Sequence, residues 1–192
     1  MSEKAGRKKQ PQVIRKQLLD VTAKIILEQG LAAVTLDKVA AAAGVSKGGL
    51  LHRFHSKTSL IEALLIELYN EFEAGLEQIE AEDKLATGRR TRAVLRMVDG
   101  LKDHSGTQLW ATLTFEVRHN EELSDRCRNF LHETLAKDCQ RKDEEVALAI
   151  VSLAADGLSL ADASGVFAQS PALRKKIVKQ LEAITKNPTK LP

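Results

Sequence analysis

The 192-residue sequence predicts an all-α protein in two parts, a small N-terminal three-helix domain containing a helix-turn-helix (residues 1–60) and a larger helical domain (residues 61–192). Three observations carry this. Apolar residues recur at three- and four-residue spacing along most of the chain. Hydrophobic residues make up 43%, rich in Ala and Leu, with only four prolines and almost no alternating runs. Charge is divided unevenly: residues 1–60 hold eleven Lys or Arg against four Asp or Glu, a net +7, while the remainder holds eighteen against twenty-two, a net −4. Only the first part suits a polyanion.

The start, MSEKAGRKKQ, is charged and has no hydrophobic leader core. Arg7, Lys8 and Lys9, followed by Arg15 and Lys16, read as a basic arm ahead of the first helix. Such an arm embraces a phosphate backbone or a minor groove, or stays a solvated tail. After the first helix, Thr35 is placed to cap a second, with Leu36, Val39 and Ala40 on its buried face. Gly44 supplies the positive φ that stops this helix, and Ser46 caps the next. There Leu50 and Phe54 share the core face, which leaves Lys47, Gly48, Leu51, His52 and Arg53 to point elsewhere. Gly48 and Gly49 each cost about 1 kcal/mol of helix stability relative to alanine. That cost makes sense where a phosphate or base edge approaches the backbone; the plainer reading is a helical hairpin whose glycines form loop.

Further along, Ser56 to Glu82 reads as a long linking helix, with Leu60, Leu64, Leu68, Phe72, Leu76 and Ile79 on one face. A break at Thr87 and Gly88 precedes a helix from Arg89 to Leu101. Gly106 opens the next, to about His119, followed by helices at 121–140 and 144–163 and a last one from Pro171 to Ile184 with Ser170 as its cap. Val146 to Phe167 is apolar nearly all round and rich in small residues, so burial on several sides is expected, either in the chain's own core or against a second copy.

The stretch VTAKIILEQGLAAVTLDKVAAAAGVSKGGLLHRFHSKTSLIEAL, residues 21–64, resembles the DNA-binding domain of the TetR/AcrR family of transcriptional repressors. The likeness rests on Ala23, Gly30, the segment Thr35 to Ala40, the AGVSKG turn, and Phe54, Ser56, Lys57 and Leu60. It implies a homodimeric repressor that binds double-stranded operator DNA and is released by a small-molecule effector. It also implies dimerisation through Val146 to Phe167 with the last helix, and a linking helix that acts as a lever between effector and DNA. Two recognition helices about 34 Å apart then demand an inverted repeat. Lys47 is the candidate for base contact, with His52 and the backbone of Gly48 and Gly49 beside it; Thr35, Arg53 and Lys57 suit phosphate, and Ser46 and Leu51 complete the surface. Leu51 stands where the family usually has a phosphate-touching tyrosine, Gly49 where threonine is frequent, and Thr58 where an acid is usual.

Met97, Leu101, Trp110, Leu113, Phe115 and Glu116 are the candidate effector pocket, with Arg118 as a further polar contact; plain core is the competing reading. With seven aromatics in the chain, such a pocket is mainly aliphatic and favours a lipophilic effector. Cys127 and Cys139, about 18 Å apart along one helix, cannot pair there, and His104, His119 and His132 form no metal-ligand spacing. GVSKGG lacks P-loop spacing and ADASG lacks the nucleophile-elbow pattern, so no enzyme, cofactor or metal is expected. No run approaches the roughly 20 apolar residues of a membrane span, and a cytoplasmic location follows. The alternative function is an effector-independent DNA-binding protein with an architectural or protein-partner role.

Overall fold

The computed structural model is described for residues 3–101, 104–116, 121–139 and 141–190; the side chains of 3–10, 114–116, 122, 123, 126–128, 130, 131 and 190 lie outside that description. Among the described residues the regular structure is wholly helical: α1 (Glu3–Gln29), α2 (Leu36–Ala42), α3 (Lys47–Leu51), α4 (Lys57–Glu82), α5 (Arg89–Gly100), α6 (Ser105–Glu116), α7 (Glu121–Asp138), α8 (Glu145–Ala163) and α9 (Pro171–Lys186), with 3-10 turns at Leu31–Ala33, Lys142–Glu144 and Pro188–Lys190. The chain divides into two compact units, residues 1–68 with 109–118, and residues 69–108 with 119–192. The division falls inside α4.

The basic arm expected ahead of the first helix is itself helical, because α1 begins at Glu3 and runs through Pro11. Lys, Arg, Ala and Gln are good helix formers, and they carry the helix through Pro11 although it removes one backbone hydrogen bond and its ring crowds the preceding turn. The side chains of Arg7, Lys8 and Lys9 are outside the described set.

In the first unit, Leu18, Leu19, Ile25 and Ile26 of α1 form a core with Val39 and Ala40 of α2, Leu50 of α3, Phe54, and Leu60, Ile61, Leu64 and Leu65 of α4. Polar side chains fix the edges. Gln17 donates to the Ala43 carbonyl at 2.9 Å, and Arg15 lies over the Phe54 ring while pairing with Glu67 at 3.1 Å. Ser56 and Ser59 exchange hydroxyl-to-backbone bonds at 3.0 and 3.1 Å, a reciprocal cap that starts α4.

The second unit is built around α5, whose residues from Arg90 to Leu95 are all buried. Ala93, Val94, Leu95 and Val98 pack with Leu76 of α4, Val151, Ala155 and Leu158 of α8, and Leu181 of α9. Two of the four arginines of α5 are buried and bonded. Arg92, 1% exposed, uses all five of its N–H groups: on both Asp83 oxygens (2.7 and 3.0 Å) and on the carbonyls of Leu85 (2.8 Å), Thr87 (3.0 Å) and Thr185 (3.1 Å). Arg90 pairs with Glu73 and Glu80 of α4. The start of α5 has no side-chain cap of its own, since its N-cap is Gly88 at φ 66°. Asp138, at the end of α7, substitutes by accepting from the Arg90 and Thr91 N–H groups at 2.7 and 2.6 Å. A side chain at Gly88 would meet the Thr185 carbonyl at 2.7 Å, so glycine there answers both to φ and to space.

Two further expectations are corrected. Ser170 makes no side-chain cap bond; its ψ of 50° differs from the roughly 150° of Thr35 and Ser46, so its hydroxyl does not reach the α9 amides, and Pro171 alone suits the first turn. Along 146–167, Ala147, Leu148, Val151, Ala155 and Leu158 face α5, α7 and α9, whereas Val146, Ile150, Leu153, Leu160 and Val166 are exposed, with no described element over them. One helical stretch, Lys142–Ala163, does pass as long and apolar enough to cross a membrane by length and composition, with mean hydropathy 1.7 and a third of it buried in the fold.

Replacing Arg92 by methionine takes from Asp83 its two-bond partner, leaving it Arg96 and the Leu85 amide, and removes the donor from the carbonyls of Leu85, Thr87 and Thr185; it is expected to destabilise the protein by about 3–5 kcal/mol, read from urea unfolding. The Arg92 hydrogen bond also holds the Asp83 carboxyl down to about 2 from 3.8, with the Leu85 amide and Arg96 assisting. A depressed folded-state pKa contributes stability that is complete above the unfolded value and disappears as pH falls through the folded one. Unfolding free energy therefore declines between pH 3.8 and about 2, and Asp83→Asn shrinks the decline.

Candidate nucleic-acid interface

The segment from Thr35 to Lys57 folds as the two capped helices and turn that its residues dictate. Thr35 accepts from the Lys38 amide at 3.2 Å and Ser46 from the Gly49 amide at 3.1 Å. Between them Gly44 takes φ 66°, its N–H bonding Ala41 and the Val45 N–H reaching back to Ala40. Those two bonds are the Schellman closure of a helix C-terminus. Five residues are too few for a helix to persist by itself. Burial of Leu50 and Phe54, 0% and 4% exposed, holds α3 in place.

That anchoring fixes what is presented outward. Thr35, Ser46, Lys47, Gly48 and His52 are exposed, while Gly49, Leu51, Arg53 and Lys57 are half-buried. Gly48 has open space around its missing side chain, so nothing in the fold itself requires glycine there. At Gly49 a Cβ would press on Ser46 Oγ at 3.2 Å, against the very hydroxyl that caps the helix. Leu51 carries no polar atom with which to hold a phosphate.

The cations are not equally available. Lys47 Nζ pairs with Asp37 of α2 at 2.8 Å from one carboxylate oxygen and 3.0 Å from the other. Arg53 donates to the Gly49 carbonyl at 2.9 Å, and Lys57 to the Leu31 carbonyl at 3.0 Å, which ties the start of α4 to the turn after α1. Lys38 bonds Gln29. The sequence reading missed Asp37 as the partner of Lys47, because ten residues of separation carry no periodic signal.

The candidate effector residues fall in different units. Met97 and Leu101 belong to the second: Met97 packs on its core, where its methyl lies 2.7 Å from the position a Cβ on Gly75 would take, and Leu101 is exposed at the end of α5. Trp110, half-buried, and Leu113, fully buried, belong to the first. The side chains of Phe115 and Glu116, and Arg118 altogether, lie outside the described residues, as do His119 and the Cys127 side chain. An open cleft of about 320 Å³ in the second unit is lined by His132, Leu135, Ala136, Cys139, Arg141, Lys142 and Glu145, none of them among the candidates. Burial and the nearby carboxylates of Asp138, Glu145 and Glu144 push the Cys139 thiol up, so it is held in its unreactive form. Among the described residues no group of three or more His, Cys, Asp or Glu converges as a metal site.

Comparison with known proteins places these features in a family. Residues 18–64 match the profile described as bacterial regulatory proteins, tetR family, and residues 88–186, just over half of the chain, match the tetracyclin repressor-like C-terminal domain. The HTH-type transcriptional repressor KstR2 of Rhodococcus jostii is 35% identical over 81 residues, 42% of this chain and 37% of that protein. The HTH-type transcriptional regulator BetI of Escherichia coli is 33% identical over 82 residues, 42% of each. The chain thus spans about two fifths of the length of these curated relatives. A TetR family regulator from Marinobacter aquaeolei superposes with a TM-score of 0.72 at 16% identity, covering 92% of this chain and 97% of that one. The multidrug binding protein EbrR, solved with malachite green, gives 0.62 at 16% identity over 87% and 96%. These last two likenesses are of fold. With both of its domains matched in order along the sequence, the chain belongs to the TetR family of bacterial regulatory proteins.

Proposed function

We propose that the protein is a homodimeric transcriptional repressor that reads an inverted-repeat operator with α3 and is released by a small, lipophilic effector. The observation that carries the DNA half is the capped helix-turn-helix whose outward side joins Lys47, His52 and an unobstructed Gly48. In this reading Lys47 meets a base edge, the backbone at Gly48 and Gly49 approaches the duplex closely, and Thr35, Ser46, Arg53 and Lys57 hold phosphates. Leu51 contributes contact without a hydrogen bond. The bond from Lys57 to the Leu31 carbonyl leaves two of its three donors for phosphate and fixes where they stand.

The dimer is supported by the face of α8 that no described element covers. Val146, Ile150, Leu153 and Leu160 follow helical spacing, are 45–68% exposed, and have Leu173 of α9 at 53% to extend them. A contiguous apolar stripe of this kind is what a two-fold partner covers. The effector half rests on the relatives: EbrR is described as a multidrug binding protein, and KstR2 as a repressor. Met97, Leu101, Trp110, Leu113, Phe115 and Glu116 stay the candidates for contact with it.

Selection of bound sequences from random double-stranded DNA at fixed salt tests the function, with a palindromic consensus expected and its absence counting for a non-specific architectural role. In the same assay Lys47→Ala flattens the consensus, whereas Lys57→Ala weakens operator and scrambled DNA alike and lowers the salt slope by about one. Leu153→Asp, a change at a side chain 61% exposed in the single chain, leaves the helical circular dichroism of the folded chain unchanged and converts the dimer to monomer in sedimentation velocity.

A further inference from the structure

Lys47 does not stand alone on the outer side of α3. The Asp37 carboxylate on α2 lies 2.8 and 3.0 Å from its ammonium, with the two side chains 59% and 70% exposed. An exposed pair of this kind contributes little to stability. It also sets a negative charge beside the surface that meets phosphates, which weakens binding to DNA of any sequence. One plain reason for an acid there is its place in the first turn of α2, whose helix dipole favours it. Thr35 already caps that turn, and the dipole does not require contact with Lys47.

We propose that Asp37 is a specificity-determining residue, and that with Lys47 it reads a single G·C base pair in each half-site. The inference rests on the reading of α3 as the DNA-contacting helix. In the major groove guanine presents two adjacent acceptors, N7 and O6, and cytosine presents the free hydrogen of its N4 amine. O6 and N4 are hydrogen-bonded to each other, so they sit about 2.9 Å apart, which matches the 2.8 Å between Lys47 Nζ and Asp37 Oδ1. The ammonium donates to guanine while the carboxylate accepts from cytosine, and the pair need not separate. When A·T takes its place the carboxylate faces the acceptor O4 of thymine and the ammonium the N6 donor of adenine; in the reversed T·A pair the carboxylate lies beside the acceptor N7 and the thymine methyl crowds the ammonium. On phosphates alone, Asp37 offsets the charge of Lys47 and is repelled. The acid therefore lowers affinity for wrong DNA more than for right DNA, which is specificity by penalty.

The test applies random-pool selection and then direct titration to the full chain, Asp37→Ala, Lys47→Ala and the double variant, with thermal unfolding of each. Wild type is expected to select a G·C pair at one fixed position per half-site and to lose about tenfold in affinity when that pair becomes A·T. Asp37→Ala reduces the loss to less than about threefold and raises affinity for scrambled DNA several-fold, and the double variant discriminates no worse than Lys47→Ala alone. A wild-type consensus that Asp37→Ala reproduces with unchanged discrimination overturns the inference. So does an Asp37→Ala variant whose only change is a lower Tm, or a double variant whose losses are additive. If wild type selects no consensus at all, the DNA-reading function itself falls and takes this inference with it.

Discussion

The buried guanidinium of Arg92 is the interaction on which the larger unit depends. Its five bonds join the end of α4 at Asp83, the α4–α5 connection at Leu85 and Thr87, and the end of α9 at Thr185. A charge 1% exposed beside the buried Ala93, Val94 and Leu95 is tolerable only when its donors are satisfied. Because the acceptors are mostly backbone carbonyls, the arrangement fixes chain path as well as charge. Asp138 does the same at the other end of the problem, supplying from α7 the cap that Gly88 cannot give α5. Arg174 of α9 adds a third tie, to Asp162 of α8 and Asp99 of α5.

The smaller unit is held differently, by local rules that agree with one another. Thr35, Ser46 and the reciprocal pair Ser56 and Ser59 each open a helix, and Gly44 closes one. None of these alone stabilises five residues as a helix; the buried faces of Leu50 and Phe54 do, and the caps decide where the helix begins. The outcome is a short rigid element whose outward atoms are fixed by what lies beneath them. For recognition this matters more than strength, since a side chain on a fraying helix cannot hold register against a base pair.

The proposed function uses positions where the fold leaves its own needs unmet. Gly48 has open space around its missing side chain, and the stripe from Val146 to Leu160 has no cover among the described residues. Both have plain physical costs, lost helix propensity in one case and exposed apolar area in the other, and a partner relieves each. Of the candidate ligand contacts, Leu113 is fully buried and Met97 is partly buried against the core of the second unit.

How much could be read in advance follows the range of the forces involved. Caps, the Gly44 turn, the helix order and the core faces of α2 to α4 were legible because each is decided by residues within about four positions of one another. The start of α1 is not legible because a run of charges such as Arg7, Lys8 and Lys9 suits a solvated tail as well as a helix. Ser170 was misread since a serine before a helix caps it only at the right ψ, and that angle is set by the chain arriving from Phe167. The pairing of Lys47 with Asp37, the five bonds of Arg92, the Asp138 cap and the exposed apolar residues of α8 were invisible to spacing. Sequence alone determined an all-α chain with a helix-turn-helix head and the family to which it is similar. Only the tertiary structure decided which charges are spent inside the fold and which remain outside, because that depends on residues 10, 48 and 93 positions apart meeting in space.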